Sequence, residues 1–435
     1  MKVVAGENMI NATDFSAIFQ KAQPQLIGQN LPKLQALRKA ALAEFLQQGF
    51  PSRKEENWKY TDLTFLAKQP LVLASGNTDK MTVPIDFPAH QLVFVDGHFS
   101  QTLSSIHDLE AGVLLLPLGV ALTKHAEKLQ AFLQQLVATT PLVNFNTAFF
   151  SDGVCLWVPP NTVVKKPIHC VFLTSTQQEV CLCSPRNILV LEENSKAVIV
   201  EQHLSESASH HIYYKNLVTQ IEVRKNADLS LYKIQQENPA TIHTAMTVIN
   251  QHADSRVRSC SISLGAKLAR DDLNFSLNAP GAYCQLRGLY IASGQQHVDH
   301  HTRIDHRSTH GTSDEYYKGI LSDQAKGVFN GKVIVHPFAQ HTQSQQTNKN
   351  ILLTQTAEMN TKPELEIYAD DVQCTHGATV GQIDDEALFY LRSRGLDAAT
   401  ATSLLTEAFA KDVLSQINEP EIAEYLQRLV LKKLS

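Results

Sequence analysis

Hydrophobic positions change period twice along the chain. Near the start, Leu34, Leu37, Ala41, Leu42, Phe45 and Leu46 recur at helical spacing, with Pro32 at the opening and Gly49 and Pro51 as the stop. A second helical stretch carries Ala126, Leu129, Phe132, Leu133 and Leu136, and Gln91 to Val95 reads as a short strand running into Asp96-Gly97. Residues 1–149 are therefore expected to be mostly helical, with short strands. Over residues 150–381 the period becomes two. Leu217, Thr219, Ile221 and Val223 alternate with Val218, Gln220, Glu222 and Arg224, while Cys260, Ile262 and Leu264 alternate with Ser259, Ser261 and Ser263. Cys284, Leu286, Gly288 and Tyr290 follow the same rule. Short polar turns such as Glu193-Asn194-Ser195 and Asn226-Ala227-Asp228 separate the runs. Helical crossovers are missing from the pattern, and Asn-Gly or Asp-Gly hairpin signals are few. Parallel strands without helices predict a mainly β chain built as a parallel β-solenoid, with a large β-sandwich as the competing arrangement.

Residues 382–435 turn helical again. Asp384 predicts an N-cap and Gly395 a C′ stop, and Asp397 caps a second helix carrying Ala401, Leu404, Leu405, Ala408, Val413 and Ile417. Pro420 opens a third, with Ile422, Tyr425, Leu426, Leu429 and Val430. Three amphipathic helices cannot bury all their apolar faces against one another. They must dock on the β region, on a partner, or on both.

Composition narrows the class. The chain has 435 residues, of which 43% are hydrophobic and 19% charged, enough for a sizeable core and too apolar for wholesale disorder. A formal charge of −5 removes any global electrostatic case for nucleic acid or an anionic membrane. The apolar run Ala111–Leu122 is interrupted by Pro117 and falls short of the roughly 20 residues that a membrane span needs. Met1–Ile10 lacks the basic flank and apolar stretch of an export signal. Seven widely spread cysteines, an odd number, fit reduced thiols and a cytoplasmic location better than a disulfide framework.

Candidate chemistry is sparse. Gly327-Val-Phe-Asn-Gly331-Lys332-Val333 superficially matches a phosphate loop. Yet the glycines are one residue too close, Val333 stands where Ser or Thr should hold magnesium, and a turn before a strand is the better reading. ATP hydrolysis by this chain is not expected. On a strand, His297, Asp299 and His301 share one face and offer transition-metal donors, followed by Asp305, His306 and His310; an outward polar ladder has the same pattern and is favoured. Cys181 and Cys183 share a face, but two thiols do not close a site, so core packing is expected. Asp370 and Asp371 are adjacent and point to opposite faces of a strand, which argues against paired-carboxylate catalysis. Cys374 and His376 lie on one strand face where the β region ends, as a metal-ligand pair or a nucleophile with its base; packing at a domain edge is the default.

Longer strings change that balance. Gly327–His336, Gln345–Leu353, Lys362–Val372, Cys374-Thr-His-Gly-Ala-Thr379 and Phe389-Tyr-Leu-Arg-Ser-Arg-Gly395 together resemble the shared core of the SufB/SufD family of iron–sulfur cluster assembly proteins. Asn146-Thr-Ala148, Gly153–Pro159 and the Arg53–Thr61 box extend the resemblance over most of the chain. The Trp58-Lys-Tyr-Thr wording and His376-Gly377-Ala378-Thr379 resemble the SufD branch. The resemblance implies a right-handed parallel β-helix between helical ends, serving as a non-catalytic subunit with a SufB paralogue and the SufC ATPase. It implies that the C-terminal helices dock the ATPase and that the β-helices pair near their C-terminal ends. By the same resemblance His376 is the candidate iron or cluster ligand facing SufB, with Cys374 the weaker one, and Phe389, Tyr390, Arg392 and Arg394 belong to a helix used for packing or ATPase docking. No stably bound cofactor is expected, only transient iron or cluster at the interface. For the isolated chain, monomer and homodimer both stay open. Two rival functions remain: a carbohydrate-active β-helix enzyme, for which no converging carboxylates are seen, and an autonomous metalloenzyme built on His297, Asp299 and His301.

Overall fold

The computed structural model describes residues 14–76, 83, 87–135, 140–175, 179–206 and 211–434. The expectations for Met1–Ile10 and Leu136 lie outside these residues. Between the helical ends, successive strands alternate between an eleven-stranded and a ten-stranded sheet, and each pairs in parallel with the strand two further along the chain. Cys155 pairs with Ile188, Tyr213 with Thr241, Ile242 with Leu268, Leu268 with His297, His297 with Lys326 and Lys326 with Glu358, so one coil takes 26 to 33 residues. This is the parallel β-solenoid, and the sandwich alternative is set aside.

The corner explains why the chain coils without an exact repeat. Asn161, Asn194, Asn226, Asp254, Gly281, His310 and His341 all hold left-handed backbone, with φ between 54° and 71°. These are residue types that tolerate this conformation or pay least for it. They stack: the N–H of each donates to the carbonyl just before the corner residue of the next coil, from Asn161 to Glu193 through His310 to Gln340. The Asn226 amide donates to Asn194 Oδ1 at 2.8 Å, and Asn194 to Asn161 Oδ1 at 2.9 Å.

Half of the solenoid interior is apolar, lined by Leu92, Phe94, Ile221, Val223, Leu229, Phe275, Leu286, Phe329 and Val335 among others. The other half is polar. Ser259, Ser261 and Ser263 are buried, whereas Cys260, Ile262 and Leu264 face outward into a second apolar layer. That layer is closed by the helices Ala398–Leu414 and Pro420–Leu434 through Ala410, Val413, Ile422, Leu426 and Val430. The outer face of the other sheet is closed by the N-terminal helices, whose Phe15, Phe45, Phe145 and Phe149 meet Leu182, Tyr214 and Ile242. Both sheets therefore have two buried faces, as parallel sheets require.

Local signals in the sequence reappear as geometry. Helix Pro32–Gln48 ends at Gly49, Asp384 caps helix Asp385–Ser393, Asp397 accepts from the Thr400 N–H at 3.0 Å, and Gly395 takes φ 95°. The sheets begin earlier than the change of period suggests, because strand His90–Val95 pairs in parallel with Ile168–Thr174. Gly327–Val333 is not a turn: it lies inside strand Lys326–Val335, paired on both sides. Its glycines mislead, because a Cβ on Gly331 would sit 2.2 Å from the Gln346 amide nitrogen. Glycine is there to make room.

Candidate functional site

The solenoid stops without a cap. Strands Glu358–Ile367 and Val372–Gly381 are the last of their sheets, each with one neighbour among the described residues. Their free edges present unpaired backbone groups, a template for another strand. The apolar interior ends there with Met359, Leu365, Val372 and Cys374 only partly covered, and Ile367, Tyr368 and Val380 are exposed nearby.

His376 and Cys374 stand on this last coil, on one face of strand Val372–Gly381, in register with Gln346 and Ser344. His376 is exposed and Cys374 half-buried. Burial pushes the Cys374 thiol above its usual range, opposed by a backbone hydrogen bond from Ser344, so the sulfur is a ligand only once a metal displaces its proton. Behind His376 the register runs to Gln346 and then Glu315, both buried, with the Gln346 amide donating to Glu315 Oε2 at 2.6 Å. Burial raises the Glu315 carboxyl to about 7, against hydrogen bonds from Thr302 and Gln346. Asp370 and Asp371 precede the same strand; Asp371 is engaged by His341 Nδ1 at 2.8 Å.

Helix Asp385–Ser393 follows immediately and has no buried residue. Phe389 is 74% exposed and Tyr390 57%. Arg394 stacks over the Tyr390 ring at 5.3 Å. Of the three C-terminal helices, this one alone leaves its aromatic face unpartnered, whereas the other two dock on the sheet.

The histidine ladder has a different role. His297, Asp299 and His301 do share the outward face, but the N-terminal box covers them. Thr61 Oγ1 donates to Asp299 Oδ2 at 2.5 Å and lies 2.8 Å from His297 Nε2. Arg270 reaches Asp299 at 2.8 Å and stacks on Trp58 at 3.6 Å, and His301 lies 2.9 Å from the other carboxylate oxygen. Burial alone would raise Asp299, but His301 and Arg270 beside it hold the carboxyl well below the usual range. A metal here would have to displace a guanidinium. The ladder clamps residues 57–61 onto the solenoid instead. His300 faces inward onto Tyr290 and Ser263, and Asp305 is held by Arg303 and His336. Cys181 and Cys183 are buried, with burial raising both thiols to about 12.

Sequence reasoning missed the buried ions. Arg38 sits on the buried face of helix Pro32–Gln48, donating to the carbonyls of Ala148 at 2.9 Å, Phe150 at 3.0 Å and Ile27 at 3.1 Å. Inside the solenoid, Lys215 meets Glu237 at 2.6 Å and Lys233 meets Asp271 at 2.7 Å. Lys215, Lys233 and Asp271 occupy inward positions of period-two strands, and Glu237 directly follows one. Polar residues at inward positions were the available signal, but the period alone does not tell inward from outward.

Comparison with known proteins bears on the same regions. Residues 172–409 match the family described as SUF system FeS cluster assembly, SufBD core domain, and residues 9–170 match the SufBD protein N-terminal region. The chain is 35% identical over 379 residues to an iron–sulfur cluster assembly SufBD family protein of Synechocystis, covering 84% of both. It is 31% identical to the iron–sulfur cluster assembly protein SufD of Escherichia coli, covering 90% of both. It is 23% identical to SufD of Bacillus subtilis over 92% of this chain and 93% of that one. No helix among the described residues is long and apolar enough to cross a membrane.

Proposed function

Because this chain belongs to the SufBD family of iron–sulfur cluster assembly proteins, we propose that it is the SufD-type, non-catalytic subunit of a cytosolic assembly complex. It pairs with a SufB paralogue through the uncapped end of its solenoid and docks the SufC ATPase through helix Asp385–Ser393. The observation that carries this reading is the bare last coil. Two free strand edges, an incompletely covered apolar interior and the Cys374–His376 pair occupy one surface. A second solenoid of the same cross-section would continue both sheets and bury that apolar end. His376 would then lie at the junction as a ligand for iron or cluster in transit, with Cys374 beside it. In isolation a second copy could take the same place.

The test is co-purification with the ATPase and the paralogue, comparing wild type and His376→Ala after anaerobic loading. The expected result is equal complex formation with less iron and sulfide on the variant. Failure of the wild type to retain any ATPase would overturn the subunit reading.

A further inference from the structure

We propose that the polar half of the solenoid interior holds a divalent transition-metal ion on His203, Glu237 and His243. The three come from different parts of two coils. His203 lies on strand Lys196–Ser205, Glu237 directly follows strand Asp228–Gln236 one coil on, and His243 lies on strand Thr241–Gln251 in the opposite sheet. All three are buried, and one ligand atom from each lies within 4.8 Å of the others. Two imidazoles and a carboxylate are the donor set of zinc, cobalt and ferrous sites.

Two further observations favour a cation. His203 Nδ1 and both ring nitrogens of His243 are buried without a hydrogen-bond partner, a state that protein interiors avoid and that a metal would relieve. Buried carboxylates also outnumber buried ammonium groups at this place. Glu201, Glu237 and Asp271 are all buried here, against the buried ammoniums of Lys215 and Lys233.

The surroundings already orient the ligands. Glu201 Oε1 lies 3.0 Å from His203 Nε2, so a proton on that nitrogen leaves the Nδ1 lone pair free. Lys215 holds Glu237 Oε1 at 2.6 Å and His243 Nδ1 lies 2.9 Å from Glu237 Oε2, which fixes the carboxylate between them. The site is separate from the Cys374–His376 pair and does not depend on the assembly function.

The experiment uses the full chain expressed in cobalt-supplemented medium, purified, and dialysed against EDTA. Metal content and the visible ligand-field spectrum are then read. The expected outcome is about one cobalt ion retained per chain, with retention reduced at least tenfold in both His203→Gln and His243→Gln. His376→Ala should keep its cobalt, and cobalt should raise the melting temperature of the wild type but not of the two glutamine variants. If a variant fails to fold, Glu237→Gln gives the same readout. The proposal is overturned if the wild type retains no cobalt, if folded His203→Gln or His243→Gln retains as much as the wild type, or if His376→Ala is the variant that loses it.

Discussion

At the scale of the residue, the buried charges differ in how they are neutralised. Arg38 is surrounded by carbonyl oxygens and Asp299 by a guanidinium and an imidazole. Glu315 is buried with neutral hydrogen-bond donors, Thr302 and Gln346, so burial outweighs them and its carboxyl rises from 4.5 to about 7. The sign of the consequence follows. Between those values the folded chain keeps a proton that the unfolded chain has released, so stability is fullest below the unfolded value and declines as pH rises through about 7. Glu315→Gln should remove this dependence. Urea midpoints at several pH values should show the variant more stable than wild type at pH 8, by on the order of 3 kcal/mol, with the gap closing towards pH 4.5. A constant gap across that range would mean that Glu315 is ionised in the fold.

At the scale of the element, the C-terminal helices divide the labour. Helix Pro420–Leu434 has its apolar face buried on the sheet, with Leu426 fully covered, and Gln202 donates to Tyr425 Oη at 2.6 Å. Helix Asp385–Ser393 has no fully buried residue and leaves Phe389 and Tyr390 exposed. Substitutions should therefore separate stability from binding. Leu426→Ala is expected to cost about 2–5 kcal/mol by opening a cavity. Phe389→Ala with Tyr390→Ala should change stability by less than about 0.5 kcal/mol, while weakening ATPase capture at least tenfold. Melting curves and pull-downs on the same preparations check both statements. An aromatic pair whose loss melts the protein would assign that helix to packing.

At the scale of the whole molecule, the solenoid is closed on both flanks by helices and open at one end. Placing lysines at Ile367 and Val380, both exposed on the terminal strands, should change melting little. The same change sets two charges against any incoming sheet, and should weaken association with the paralogue by at least tenfold, about 1.4 kcal/mol. Light scattering of the mixed proteins reads the result, and undiminished association would place the partner elsewhere.

Periodicity, turn chemistry and caps are local properties, which is why the helices at both ends and the parallel coils were legible in the chain by itself. Pro32, Gly49, Asp384, Gly395, Asp397 and Pro420 each act within a few residues of their own backbone, and the structure places them as their chemistry requires. The left-handed Asn, Asp, Gly and His of the corner were visible too, though only as scattered turns. Their alignment depends on coils whose lengths range from 26 to 33 residues, so no fixed repeat announces it. Which face of a strand is inside depends on what packs across it. Helices covering both outer faces allow Cys260, Ile262 and Leu264 to point outward while serines line the interior. For the same reason the His297 ladder became a clamp for Trp58 and Thr61, and His203, Glu237 and His243, separated along the chain, met inside. Contacts between coils and across sheets are set by tertiary packing, and only the folded chain decides them.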